Sequence, residues 1–235
     1  MKVKHFVKGS LLAGLVLLPV LSKTVDAAPG DYEPRSANSD ATVEFTQPQD
    51  TPSIIDPENP GEDNDEQGGT GQTGPLTIDW VSNLNFGSHE FSVEKQTYEA
   101  TNPAPFVQVS DRRGTSEGWN LTVQAAPFTT SGLLGAETSL PGATLTFTGG
   151  EAVSRINPLL APTVSDPIEV ETNNEATQVA TATPGQGVGS WAIRWLKEEG
   201  LTTDSKVELT VPEAAASPGE HTSTLTWTLT DAPGQ

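Results

Sequence analysis

Acidic side chains are the first candidates for chemistry in this sequence, because they outnumber every other ionisable type. Asp and Glu number 31 against 12 Lys and Arg, for a formal net charge of −19. Cleaving a glycosidic bond takes two carboxylates on opposite sides of one bond, and no motif singles out such a pair. A nucleophilic triad takes a His base. His89 and His221 lie beyond the N-terminal leader, and no Ser motif accompanies either. The absence of Cys excludes thiol catalysis, thiolate metal sites and a disulfide framework. The run Asp63-Asn64-Asp65-Glu66-Gln67-Gly68 has the early acids and the glycine of a calcium loop, but Gly74 stands where the bidentate Glu belongs. The sequence therefore predicts no catalytic residue, no metal site and no cofactor.

Binding chemistry has better candidates. Trp119, Leu121 and Val123 alternate along Gly118–Gln124, and Leu225, Trp227 and Leu229 alternate along Ser223–Thr230. On a strand, alternate side chains share a face. Each stretch thus has a Trp-x-Leu face backed by a polar one, carrying Asn120 and Thr122 in the first and Thr226 and Thr228 in the second. Large apolar residues in alternation point into a core. The other reading has a partly exposed Trp stacking on a sugar ring while neighbouring Thr and Asn side chains bond its hydroxyls. Two small basic spots stand out among the acids, Arg112 with Arg113 and Arg194 with Lys197. They suit ligand carboxylates or phosphates, or they pair with nearby acids.

The elements that must hold these residues are short strands. Leu76–Val81, His89–Val93, Phe106–Ser110, Thr144–Thr148, Ala152–Ile156, Ile168–Glu171, Gln178–Ala182, Val188–Trp195 and Lys206–Val211 alternate in the same way and are separated by Gly, Pro, Asn and Asp. This spacing predicts an all-β, sandwich-like antiparallel domain with long loops over residues 76–235. Residues 28–75 read as an acidic, Pro- and Gly-rich flexible segment, with one candidate edge strand at Ala41–Thr46. Within it, Asp50–Gly74 is expected to be a solvated spacer, because its own apolar content is too small to fold alone.

Residues 1–27 have the layout of a signal peptide. Lys2, Lys4 and Lys8 precede an apolar run from Leu11 to Leu21, and Val25-Asp26-Ala27 forms a small-residue cleavage pattern. The run is shorter than the ~20 residues of a spanning helix, so no transmembrane anchor is expected. Cleavage would remove Lys2, Lys4, Lys8, Lys23 and Asp26, leaving 8 basic and 30 acidic residues, a net −22. Such a chain is unsuited to nucleic acid, which needs clustered cations. It is also repelled at long range by anionic polymers. Without a Leu-Pro-x-Thr-Gly motif or a lipobox Cys, any attachment to a cell surface is expected to be non-covalent.

The two Trp-x-Leu stretches resemble the WxL family of Gram-positive cell-surface proteins. The family's C-terminal element runs Tyr-x-x-x-(Leu/Ile/Val)-Thr-Trp-x-Leu-x-x-x-Pro. It is matched by His221 through Leu225-Thr226-Trp227-Thr228-Leu229 to Pro233, with His221 in place of the aromatic Tyr. Gly74-Pro75-Leu76-Thr77-Ile78-Asp79-Trp80-Val81, Asn85-Phe86-Gly87 and Leu140-Pro141-Gly142-Ala143 extend the likeness over nearly all the chain beyond the leader. The resemblance implies a secreted protein at the cell wall and surface, binding peptidoglycan non-covalently. It also implies a WxL-interacting surface protein as partner, with host extracellular components beyond it. The alternative is a structural or adhesive subunit that reaches the wall only through that partner.

Overall fold

The computed structural model describes residues 35–64, 68–132, 135–196 and 205–231. The chain divides into two units, Met1–Glu44 and Phe45–Gln235. The described part of the first unit, residues 35–44, carries no secondary structure. The leader lies outside the described residues, as do Lys197 and Pro233.

Strands in the second unit are β1 (Leu76–Val81), β2 (Gln96–Glu99), β3 (Phe106–Asp111), β4 (Trp119–Ala125), β5 (Thr129–Gly132), β6 (Gly135–Thr138), β7 (Thr144–Thr148), β8 (Glu151–Val153), β9 (Thr163–Val164), β10 (Ile168–Glu171), β11 (Thr177–Ala182), β12 (Gly189–Arg194), β13 (Lys206–Val211), β14 (His221–Thr222) and β15 (Leu225–Thr230). The described helix is a single 3-10 turn at Pro158–Leu160. Three four-stranded sheets run β1-β3-β12-β8, β10-β7-β13-β2 and β15-β4-β11-β9, and β14-β5-β6 form a fourth, smaller one. The strand pairs in these sheets are antiparallel. The all-β, sandwich-like expectation is met.

One core serves the three larger sheets. Val107, Val109 and Ile193 enter it from the first, Leu145, Phe147, Ile168 and Val207 from the second, and Trp119, Leu121, Val123 and Val179 from the third. Alternation explains each contribution, since β4, β7 and β13 bury every second residue.

β3 breaks that rhythm, because all six of its residues are buried. Its second face is covered by the described part of residues 50–75, which corrects the expectation of a solvated spacer. Ile54 and Ile55 pack with Phe106 and Ala192 in a satellite core flanked by Trp80 and Val153. Ile55 bridges to Asp63. The buried Gln108 side chain holds the segment's backbone, accepting from Ile55 N at 2.7 Å and donating to Ser53 O at 2.9 Å. Thr70 N donates to Asp79 O at 2.7 Å. The segment is a strap: two adjacent isoleucines are its apolar anchor, and the sheet supplies the rest of the apolar surface. The candidate edge strand also differs. Residues 41–46 form no strand, and Val43 and Phe45 are 76% and 89% exposed. Alternation makes a segment competent for pairing, but its hydrogen bonds need a partner edge. His89–Val93 likewise forms no strand.

Candidate functional site

Both Trp-x-Leu stretches become strands, and they are neighbours. Trp227 on β15 sits opposite Val123 on β4, and Leu229 opposite Leu121. Trp119 pairs instead with Ala182 of β11, which places it mid-sheet. It is fully buried, and its indole Nε1 donates to Gly187 O at 3.0 Å. A Cβ on Gly187 would come within 2.4 Å of that nitrogen, so a glycine there is required by the ring. Leu121 is also fully buried. Trp227 and Leu229 point to the same core but from an outer strand, so they are half-buried. Trp227 meets Phe147 edge-on, with ring centroids 6.4 Å apart. His221 of β14 is held by Ser139 Oγ at 2.9 Å and Ser217 O at 2.7 Å.

The opposite face of this sheet is open and uncharged. Thr226, Thr228 and Thr230 are exposed. Beside them stand Gln124, Thr122 and Asn120, in that register. Asn120 is half-buried and accepts from Thr181 Oγ1 of β11 at 2.9 Å. Gln178 Nε2 donates to the same hydroxyl. The result is a patch of hydroxyls and carboxamides on a strongly acidic chain.

The basic candidates are engaged elsewhere. Arg112 bonds Asp50 Oδ1 at 2.8 Å, and also the backbone oxygens of Asp50 and Gly74. Arg113 grips Asp111 with two bonds of 2.9 and 2.8 Å and reaches Gly118 O at 2.6 Å. Arg194 pairs with Glu151 at 2.6 Å and donates to Pro57 O. Arg155, which the sequence did not single out, takes Asp63 at 2.6 Å. Thus Arg112, Arg155 and Arg194 all fasten the strap, and none of the four presents an empty guanidinium. Asp63, first acid of the calcium-like run, is already held by Arg155; residues 65–67 of that run are outside the described residues.

A buried polar cluster under the strap escaped the sequence reading. Asp79 is 3% exposed. Its Oδ1 accepts from Thr77 Oγ1 at 2.6 Å, and its Oδ2 accepts from Gln108 Nε2 at 2.8 Å and Ser110 Oγ at 2.5 Å. Burial raises the carboxyl above its usual range, and the bonds from Ser110, Thr77 and Gln108 and the Arg112 charge offset only part of that. The signal available was polar alternation, with Asp79 against Gln108 and Ser110 on adjacent strands. A raised folded-state pKa favours the protonated fold, so the Asp79 contribution is fully present below about pH 3.8 and declines as pH rises through the folded value. Asn at this position keeps one acceptor for Gln108 and Ser110 and donates to Thr77. The melting temperature of Asp79→Asn, measured relative to the parent, should therefore climb as pH rises above about 4. A flat difference would contradict the assignment.

The strap and the ends of β1 and β3 border an open groove of about 730 Å³, lined by Trp80, Asn83, Asn102, Glu58 and Phe106 among others. Trp80 stacks on Phe106 at 5.8 Å.

A family model described as WxL domain surface cell wall-binding matches residues 32–233. No curated protein and no solved structure matches the chain.

Proposed function

Since the chain belongs to the WxL family of surface cell wall-binding domains, we propose that it binds peptidoglycan directly and non-covalently, through the uncharged face of β15, β4 and β11. The observation that carries this reading is the contrast between that face and the rest of the chain. The protein has a net charge of −19, and its candidate arginines are committed to internal partners. Attraction of wall phosphates to free cations is therefore a poor explanation for binding. Thr226, Thr228, Asn120 and Gln124 offer donors and acceptors to glycan hydroxyls and acetamido groups without adding charge repulsion. Long-range repulsion from an anionic wall then predicts binding that strengthens with added salt. A WxL-interacting surface protein is the expected partner at the wall.

Thr226→Asp combined with Thr228→Asp tests the face. Both positions are exposed, so the fold should be retained. Losing several hydrogen bonds of ~0.5–1.5 kcal/mol each should weaken binding to purified, protein-free wall by about tenfold or more. Unchanged binding would move the site elsewhere. The strap groove is the second reading, supported by an aromatic ring at Trp80 and a carboxamide at Asn83 in its lining. Loss of binding in Asn83→Arg, with the Thr variant still bound, would favour it. If the parent chain ignores protein-free wall altogether, attachment runs through the partner protein instead.

A further inference from the structure

Two unpaired features of the chain complement each other. The first is the outer edge of β15. Among the described residues, this strand ends its sheet and pairs only with β4. Ala126 N donates to Thr224 O at 3.0 Å, so in this antiparallel ladder the even-numbered residues bond β4. The backbone N–H and C=O groups of Leu225, Trp227 and Leu229 then point away from the sheet. Among the described residues, nothing pairs with them. Open edges are normally blunted by Lys, Pro or a bulge. Leu225–Thr230 contains neither residue, its register against β4 runs without a shift, and its three apolar side chains are half-buried.

The second feature is Ala41–Thr46. It has the alternation of a strand, forms none, and leaves Val43 and Phe45 exposed. Val43 and Phe45 share one face, with Thr42, Glu44 and Thr46 on the other. That pattern matches β15, whose Leu and Trp share one face and whose Thr share the other. Phe91 and Val93 are also exposed, but they lie in a loop tied at both ends, and Val93 O already accepts from Ala214 N. Residues 41–46 precede the folded strap and are not so tied.

We propose that residues 41–46 of one copy add as a strand to the open edge of β15 in a second copy. Val43 and Phe45 would cover the exposed flanks of Leu225, Trp227 and Leu229, and Thr42, Glu44 and Thr46 would extend the threonine face. Each copy carries one donor strand and one acceptor edge, so the contact is head-to-tail, building chains or a reciprocal pair. Because both partners are strongly acidic, association strengthens with salt. The contact does not depend on wall binding.

The test measures the mass of the full chain by light scattering across concentrations and salt. The parent should associate, more strongly at high salt. Val43→Asp with Phe45→Asp removes the donor, and Leu229→Pro removes one outward N–H from the acceptor while leaving the bonds to β4. Each variant alone should be monomeric with its main melting transition intact. Mixed, they retain one competent donor and one competent edge and should form a one-to-one dimer. A parent that stays monomeric at every concentration overturns the proposal, as does a mixture that fails to pair. Hydrogen-exchange protection of residues 41–46 in a monomer would instead show closure within one chain, and would overturn it equally.

Discussion

Trp119→Ala should bring the protein close to unfolding. The ring is fully buried at the centre of the core, and its removal leaves a cavity and an unpaired Gly187 carbonyl. Truncations of this kind cost ~3–5 kcal/mol, against a total stability of ~5–15 kcal/mol. Wall binding should disappear together with the cooperative thermal transition. Trp227→Ala is a milder change, despite the identical motif. Trp227 is half-buried on an outer strand, so it should retain a clear transition at reduced temperature. Melting curves and wall pull-downs on the two proteins provide the comparison. A Trp119→Ala protein that melts like its parent would refute the core placement. A Trp227→Ala protein that melts normally but no longer binds would make that ring a ligand contact.

Ile55→Asp should release the strap. Ile55 is 2% exposed and lies over the satellite core. Replacing it removes ~1.5–3 kcal/mol of apolar burial and places a carboxylate among apolar groups, which is itself costly. The main core is separate from this cluster, so the expected outcome is local: undocking of residues 50–75 rather than global collapse. Limited proteolysis within that stretch should become fast, and the melting temperature should fall. Arg112→Ala should push the same way by less, since its Asp50 partner is largely exposed. An Ile55→Asp protein as resistant to protease as its parent would restore the spacer reading.

The strap also shows where sequence reading stops. By its own composition the segment carries too little apolar surface to fold. Docking joins Ile54 and Ile55 to a surface assembled from Trp80, Phe106 and Ala192, which no local window contains. The arginines failed for the same reason. Arg112 finds Asp50 62 positions away, Arg155 finds Asp63 across 92 and Arg194 finds Pro57 across 137, so their charges were visible and their partners were not. Strands whose own alternation decides their fate were legible: Ile168–Glu171 and Lys206–Val211 are bounded as expected. So was the uncharged face, because Thr226, Thr228 and Asn120 follow from period two. The difference between Trp119 and Trp227 was hidden, since only sheet order makes one strand central and the other an edge.

The clasped strap also sets an order of events. Synthesis delivers residues 50–75 to solution before β3, β8 and β12, the elements that carry or adjoin Arg112, Arg155 and Arg194. The strap must therefore wait, undocked, until a chain segment more than a hundred residues downstream has emerged and paired. Contacts closed across such separations make for slow folding. An emerging chain truncated before Arg194 holds every residue of the strap and lacks part of its clasp, so protection of residues 50–75 from protease is a clock that strikes only when the first sheet is complete.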